Sequence, residues 1–200
     1  YFYRTVSDVN FNIGMYGSAT QNEINDKTTY DSFSRAVTTP VNVSGNYTSN
    51  MWLAGGFPVF HRWLKIDYNL SSNHSRNLSY VNDAINITQT YGLSPGLTLE
   101  KQNDWIEASI NGNYNYDVTH QTISAFSNQR YYSYSFGASL LLKLPKKIML
   151  SSDVNYTDNG NRSPGFNTKI TTWNAALSKS FFKRDALTLS VEGFDLLNQN

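Results

Sequence analysis

Apolar and polar residues alternate over long stretches of this chain. The longest example covers residues 131–144, where one set of alternate positions is aromatic or aliphatic and the other is mainly Ser, Gly and Lys. A period of two residues is the pattern of a β-strand whose two faces meet different surroundings. The same alternation recurs at residues 64–71, 105–116 and 148–156. The pattern therefore predicts an all-β chain whose long strands each have an apolar and a polar face.

The connections between the predicted strands alternate in length. The pattern predicts about nine strands, at 5–17, 41–55, 63–72, 87–100, 105–116, 130–144, 147–157, 168–181 and 187–195. Short connections at 56–62, 101–104, 144–147 and 182–186 take turns with long polar ones at 18–40, 72–86, 117–129 and 158–167. Short turns at one end and long loops at the other are typical of outer-membrane barrels. We therefore expect an antiparallel, up-and-down transmembrane β-barrel, with residues 1–200 as part of one barrel domain.

Several tyrosines fall on the apolar face near the predicted long-loop ends of their strands. They are Tyr68, Tyr114, Tyr116, Tyr132, Tyr134 and Tyr156. Amphipathic rings at one height are selected at a membrane interface, where the ring meets the acyl chains and the hydroxyl meets the headgroups. We expect these six residues to form an aromatic belt, with outer-membrane lipid as the first partner of the chain.

The opposite face of the predicted strands is rich in Asn and Ser. We assign to it a set of polar residues facing the barrel lumen: Asn111, Asn113, Asn115, Ser133, Ser135, Asp153, Asn155 and Glu192. Such a lining would contact a plug or a passing solute, or would simply be hydrated.

Composition narrows the functional classes. The formal net charge is only +1, so the chain lacks the excess of positive charge with which proteins bind nucleic acid. It contains no Cys, which excludes disulfides, thiolate nucleophiles and Cys-ligated metal sites. The three His residues are not at ligand spacing, and the run 153–161 resembles a calcium loop only faintly. We expect no enzyme activity, no cofactor and no metal site, and leave calcium binding by the loops open.

The carboxy-terminal part of the chain resembles the β-barrel of TonB-dependent receptors, the outer-membrane family of Gram-negative bacteria. The resemblance is carried by residues 173–191 with Asp195-Leu196-Leu197-Asn198, and by two motifs before hairpins, Gly56-Phe57-Pro58 and Leu144-Pro145-Lys146-Lys147. Barrels of this family have a plug, a further loop and a final strand that we do not recognise in this sequence. We therefore expect a segment of a larger barrel.

The resemblance implies energy-coupled uptake of a bulky nutrient across the bacterial outer membrane. The barrel would form the pore wall and its extracellular loops the receptor surface. The implied partners are the rest of the barrel and its plug, a periplasmic energy-coupling protein and a surface lipoprotein.

Two other interpretations stay open from the sequence. One is a structural or adhesive outer-membrane barrel in an envelope complex. The other is a soluble glycan-binding β-sandwich, against which the length of the predicted strands argues, since sandwich strands typically have about five or six residues.

Overall fold

The fold is nearly all antiparallel β-structure. In a computed structural model of the chain, the residues described are 2–6, 8–60, 63–81, 83–123, 128–160, 166–182 and 185–198. The strands are β1 (Phe2–Val6), β2 (Val9–Thr20), β3 (Glu23–Tyr30), β4 (Ala36–Val43), β5 (Asn46–Val59), β6 (Leu64–Val81), β7 (Ala84–Gln102), β8 (Ile106–Gln121), β9 (Gln129–Leu144), β10 (Ile148–Gly160), β11 (Thr168–Phe181) and β12 (Leu187–Gly193). A 3-10 turn, Pro145–Lys147, connects β9 to β10. The expectation of an all-β chain is confirmed.

Ten of the strands form one sheet in the order β1-β2-β5-β6-β7-β8-β9-β10-β11-β12. Each strand pairs with its neighbour along the chain, except that the separate hairpin β3-β4 is inserted between β2 and β5. The sheet is open, with β1 and β12 as its edge strands. This up-and-down strand order is the predicted one. The described residues do not form a closed barrel.

The predicted strand boundaries are wrong at four places in the amino-terminal half. The predicted strand 41–55 is divided between β4 and β5 at Ser44 and Gly45, where the φ of Gly45 is 94°. The predicted strand 5–17 is divided into β1 and β2 by a turn at Asp8, whose φ is 68°. The predicted loop 18–40 contains β3 and part of β4. The predicted loop 72–86 is instead the outer part of a long hairpin, because β6 pairs with β7 as far as Val81 and Ala84. Ser and Asn occur on both faces of these segments, so the period of two is lost although the pairing continues.

The connections between the strands still fall into two groups, one at each end of the sheet. At one end of the sheet lie the connections between β1 and β2, β5 and β6, β7 and β8, β9 and β10, and β11 and β12. At the other end lie the β3-β4 hairpin and the connections between β6 and β7, β8 and β9, and β10 and β11. We call these the short-turn end and the long-loop end.

The sheet has a single layer without a hydrophobic core. Val43 is the only apolar side chain that is buried among the described residues. Many large apolar side chains are exposed, for example Met15 at 75%, Ile110 at 60% and Val191 at 76%. A soluble protein seldom leaves so much contiguous apolar surface uncovered.

Candidate functional site

The candidate site consists of the two faces of the ten-stranded sheet. In an antiparallel pair, directly opposed residues share a face, so the register assigns each side chain. The row Tyr68–Leu97–Gly112–Phe136–Tyr156 crosses β6 to β10 on one face. The row Thr98–Asn111–Gly137–Asn155 crosses β7 to β10 on the other. We call the first the apolar face and the second the polar face.

All six tyrosines of the predicted belt lie on the apolar face. Tyr114 is opposite Tyr134, and Tyr116 is opposite Tyr132. Along each strand the rings stack, with centroids 6.4 Å apart for Tyr114 and Tyr116 and 6.3 Å for Tyr132 and Tyr134. These two strands therefore present one continuous aromatic surface near the long-loop end, and its contact with a membrane stays a prediction.

Tyr68 occupies a different place in its strand from the one expected. β6 begins at Leu64 and runs to Val81, so Tyr68 lies near the short-turn end of β6 rather than near its long-loop end. The register nevertheless aligns it with Tyr156 in one row. The error arises because the predicted strand ended at residue 72.

The hydroxyls of two belt tyrosines are bound within the protein. Asp158, which is 2% exposed, accepts hydrogen bonds from the hydroxyls of Tyr134, at 2.8 Å, and Tyr156, at 3.3 Å. The Nζ of Lys169 lies 3.0 Å from the same carboxylate. A buried carboxylate requires such partners because removing it from water is costly. Sequence analysis missed this cluster, because it placed Asp158 in the predicted loop 158–167, whereas β10 continues to Gly160.

All eight residues of the predicted lumen set lie on the polar face. They are Asn111, Asn113, Asn115, Ser133, Ser135, Asp153, Asn155 and Glu192. Several are linked across strands: Asn115 donates to the Ser133 hydroxyl at 3.3 Å, and Asp153 accepts from Asn174 at 2.8 Å. The face is therefore a connected polar surface, and whether it lines a lumen stays a prediction.

Glycines on the polar face make room for these amides. A Cβ placed on Gly96 would lie 2.4 Å from Asn69 Oδ1 and 2.5 Å from Asn113 Oδ1. A Cβ placed on Gly137 would lie 2.5 Å from Asn111 Oδ1 on one side and 3.0 Å from Asn155 Oδ1 on the other. The amides thus lie over the backbone of the neighbouring strand, which a larger residue at the glycine would prevent.

Nearer the short-turn end, the polar face forms a groove of about 420 Å³. Its lining includes Glu100, Glu107, Ser109, Ser139 and Asp153. The hydroxyls of Ser109 and Ser139 are 2.8 Å apart, and Lys143 pairs with Glu107. The groove offers many hydrogen-bond donors and acceptors to a polar solute.

Charges are divided between the two faces of the strands. On the apolar face the cations are Arg4, Arg76, Lys101, Arg130, Lys169 and Lys179, and the carboxylate is Asp158. On the polar face the carboxylates are Asp67, Glu100, Glu107, Asp117, Asp153 and Glu192, and the cations are Lys65 and Lys143. The apolar face is therefore net basic and the polar face net acidic, a division that the overall charge of +1 conceals.

At the long-loop end, the β3-β4 hairpin is attached to the sheet through buried amides. Asn46, which is 8% exposed, donates to Glu23 at 2.5 Å and accepts from the backbone N–H of Leu78 at 2.7 Å. Asn25 donates to the Leu78 carbonyl at 2.7 Å. The hairpin is thus positioned against β6 by specific hydrogen bonds.

The tip of this hairpin exposes aromatic rings on an ordered turn. Phe33 is 78% exposed and Tyr30 64% exposed. One carboxylate oxygen of Asp31 accepts from the backbone N–H groups of Phe33, at 2.8 Å, and Arg35, at 2.9 Å. The Arg35 backbone and side chain and the Phe33 N–H lower the pKa of Asp31, since they favour the ionised carboxylate.

In the described part of the chain, no group of three or more His, Asp or Glu side chains could hold a metal ion. His74 and His120 lie on the apolar face, His61 lies outside the described residues, and β10 directs Asp153 and Asp158 to opposite faces. The described ranges also contain no helix with the length and apolar character needed to cross a membrane.

No protein-family model matches this chain, and no curated protein matches it either.

Proposed function

We propose that this chain forms part of the wall of a transmembrane β-barrel in the outer membrane of a Gram-negative bacterium. The observation that carries the proposal is the apolar face of the ten-stranded sheet, which no other layer of the described chain covers. Lipid acyl chains are the surroundings that suit a broad apolar sheet surface interrupted by tyrosine rows. The apolar face would contact lipid and the polar face the lumen.

The strand dimensions support a membrane-spanning role. On β9 the apolar positions run from Tyr132 to Leu144, which is about 41 Å of strand at about 3.4 Å per residue. At the tilt of about 45° found in such barrels, this stretch spans about 29 Å, close to the thickness of the bilayer core. A soluble sandwich would instead pack a second sheet about 10 Å away over the apolar face.

A groove of about 670 Å³ on the apolar face fits the same proposal. It lies beside Gly112, and its lining includes Leu97, Leu99, Ile110 and Phe136. A hydrocarbon chain matches this lining, because the exposed surface there is almost entirely apolar.

The transport role follows from the resemblance to TonB-dependent receptors. In that role the polar face would border a plug or a passing nutrient, and the β3-β4 hairpin would belong to the extracellular receptor surface. The full barrel would need further strands pairing with β1 and β12, because unpaired strand edges are not tolerated in lipid. An energy-coupling protein and a surface lipoprotein are the partners proposed with it.

An adhesive outer-membrane barrel is the second candidate. It is favoured by the exposed rings of Tyr30 and Phe33 on an ordered hairpin tip, since exposed aromatics anchor many protein contacts. Cells expressing the full-length protein, with Phe33→Ala and Tyr30→Ala as variants, would separate the two candidates. Loss of cell attachment with unchanged nutrient uptake would favour adhesion.

The first test uses the full-length protein in its native membranes. The membranes are extracted with detergent, and unboiled and boiled samples are compared on a denaturing gel. We expect a compact band that shifts on boiling, since a folded barrel resists the detergent until it is heated. A protein that stays in the aqueous fraction and shows no shift would overturn the membrane proposal and favour the soluble sandwich.

A further inference from the structure

Beyond the tyrosine rows, the apolar face changes character toward the long-loop end. In four adjacent strands, β6 to β9, most side chains of the next two rows are basic or polar aromatic, the exceptions being Gln89 and Val118. The basic and polar aromatic residues of these rows, together with Tyr47 of β5, form what we call the basic patch: Tyr47, His74, Arg76, Tyr91, His120 and Arg130. The register places it directly beyond the row of Ser72, Leu93, Tyr116 and Tyr132 on the same face.

Contacts among four of its members, Tyr47, His74, Tyr91 and His120, hold these side chains in one arrangement. The rings of His74 and Tyr91 stack with centroids 4.2 Å apart, and the Tyr47 hydroxyl lies 3.3 Å from His74 Nε2. His120 meets Tyr91 edge-on at 6.4 Å. Arg76 donates to the Gly45 carbonyl at 2.6 Å, which fixes its guanidinium. A set of side chains positioned in advance binds a ligand at less entropic cost.

No carboxylate shares this face across the described residues of β5 to β9. Two carboxylates at the same end are engaged elsewhere, because Glu23 accepts from Asn46 and Asp83 pairs with Lys27 at 2.5 Å. The nearest acidic residue of β8, Asp117, lies on the polar face. Arg76 and Arg130 therefore lie on the same side of the sheet as the apolar surface.

We propose that the basic patch binds the phosphate-bearing headgroup of an anionic membrane lipid, whose acyl chains lie along the apolar face. This inference rests on the proposed function. Guanidinium groups match phosphate oxygens in geometry and charge. The continuity with exposed apolar residues such as Leu93, which is 45% exposed, favours a lipid over a free anion, because only a lipid occupies both surfaces.

The test uses the full-length protein in neutral detergent micelles. Phosphatidylglycerol is titrated in and retained lipid is counted by native mass spectrometry, with phosphatidylcholine as the neutral comparison. The variant is Arg76→Gln with Arg130→Gln. The matched control is Lys65→Gln with Lys143→Gln, which removes the same charge from the polar face. We expect the patch variant to lose phosphatidylglycerol affinity at least about tenfold and the control to keep it.

Three outcomes would overturn the inference. The first is unchanged phosphatidylglycerol binding in the patch variant, and the second is an equal loss in the control, which would indicate non-specific attraction. The third is displacement of the lipid by millimolar inorganic phosphate, since phosphate alone would then suffice. A heat shift on the gel confirms that each variant is folded. A protein that needs no detergent would instead refute the proposed function itself.

Discussion

The apolar and polar faces of the sheet are built from alternate residues of the same strands, yet they achieve close contact in different ways. On the apolar face, Gly55 lies under Tyr68 and against the backbone of Asn10. A Cβ on Gly55 would lie 2.5 Å from the Tyr68 hydroxyl oxygen and 2.6 Å from the Asn10 carbonyl oxygen. On the polar face, Gly137 lies under the amides of Asn111 and Asn155, which can rotate. At these two positions the apolar face presents fixed backbone, whereas the polar face presents side chains that can rotate. The polar face is not uniform, because Gly14 lies there under the Trp52 ring.

The two faces also differ in the chemical groups that they expose to their surroundings. The apolar face exposes aliphatic and aromatic surface that water solvates poorly, and its cations lie mostly toward the strand ends. The polar face carries amides, hydroxyls and carboxylates that bond to each other or to water. This division is the basis of the proposed function, in which lipid would cover the apolar face and water the polar face.

The strongest test of this comparison places one charge on either face at neighbouring positions. Ile110→Lys on the apolar face should destabilise the protein in lipid by about 2–4 kcal/mol, because the charge enters the hydrocarbon region. Asn111→Lys on the polar face should change stability by less than about 0.5 kcal/mol. Urea unfolding of the full-length protein folded in lipid vesicles measures both. Equal effects would refute the assignment of the faces.

A second test compares added methyl groups. Gly55→Ala should cost about 1–3 kcal/mol, because the backbone carbonyl of Asn10 cannot move aside as a side chain can. Gly137→Ala should cost less than about 1 kcal/mol, since the Asn111 and Asn155 amides can turn away. Gly17→Ala is the control, as its nearest neighbour, the Thr48 carbonyl oxygen, is 3.5 Å away. The same unfolding assay should rank the costs as Gly55, Gly137 and Gly17; a reversed order of the first two would contradict the contrast.

The smallest expected effect concerns the hairpin outside the sheet. Because the pKa of Asp31 is lowered in the folded state, its contribution to the tip is complete above the unfolded pKa of about 3.9 and is lost as the pH falls through the lower folded value. Hydrogen exchange of the peptide spanning residues 30–36 should show less protection at about pH 3 than at about pH 6, after correction for intrinsic rates. Asp31→Asn should remove this pH dependence. An unchanged pH dependence in that variant would assign it to another group.

Prediction from sequence worked where alternation was strong. The strands predicted at 105–116, 130–144, 147–157 and 168–181 correspond to β8, β9, β10 and β11, with β8 extended to Gln121. It failed where Ser, Asn and Thr occupy both faces, as in β6 beyond Ser71 and in β3. It also missed the Asp158 cluster, because the partners Tyr134 and Lys169 are brought together only by the pairing of β9, β10 and β11.

The sequence by itself determined the all-β class and the face on which each belt and lumen residue lies, because side-chain direction in a strand is a local property with a period of two. Only the tertiary structure decided the number of strands, the length of the β6-β7 hairpin, the inserted β3-β4 hairpin and the division of charge between the faces. These features depend on which strands pair and in what register, and pairing is an interaction between distant segments that no local pattern specifies.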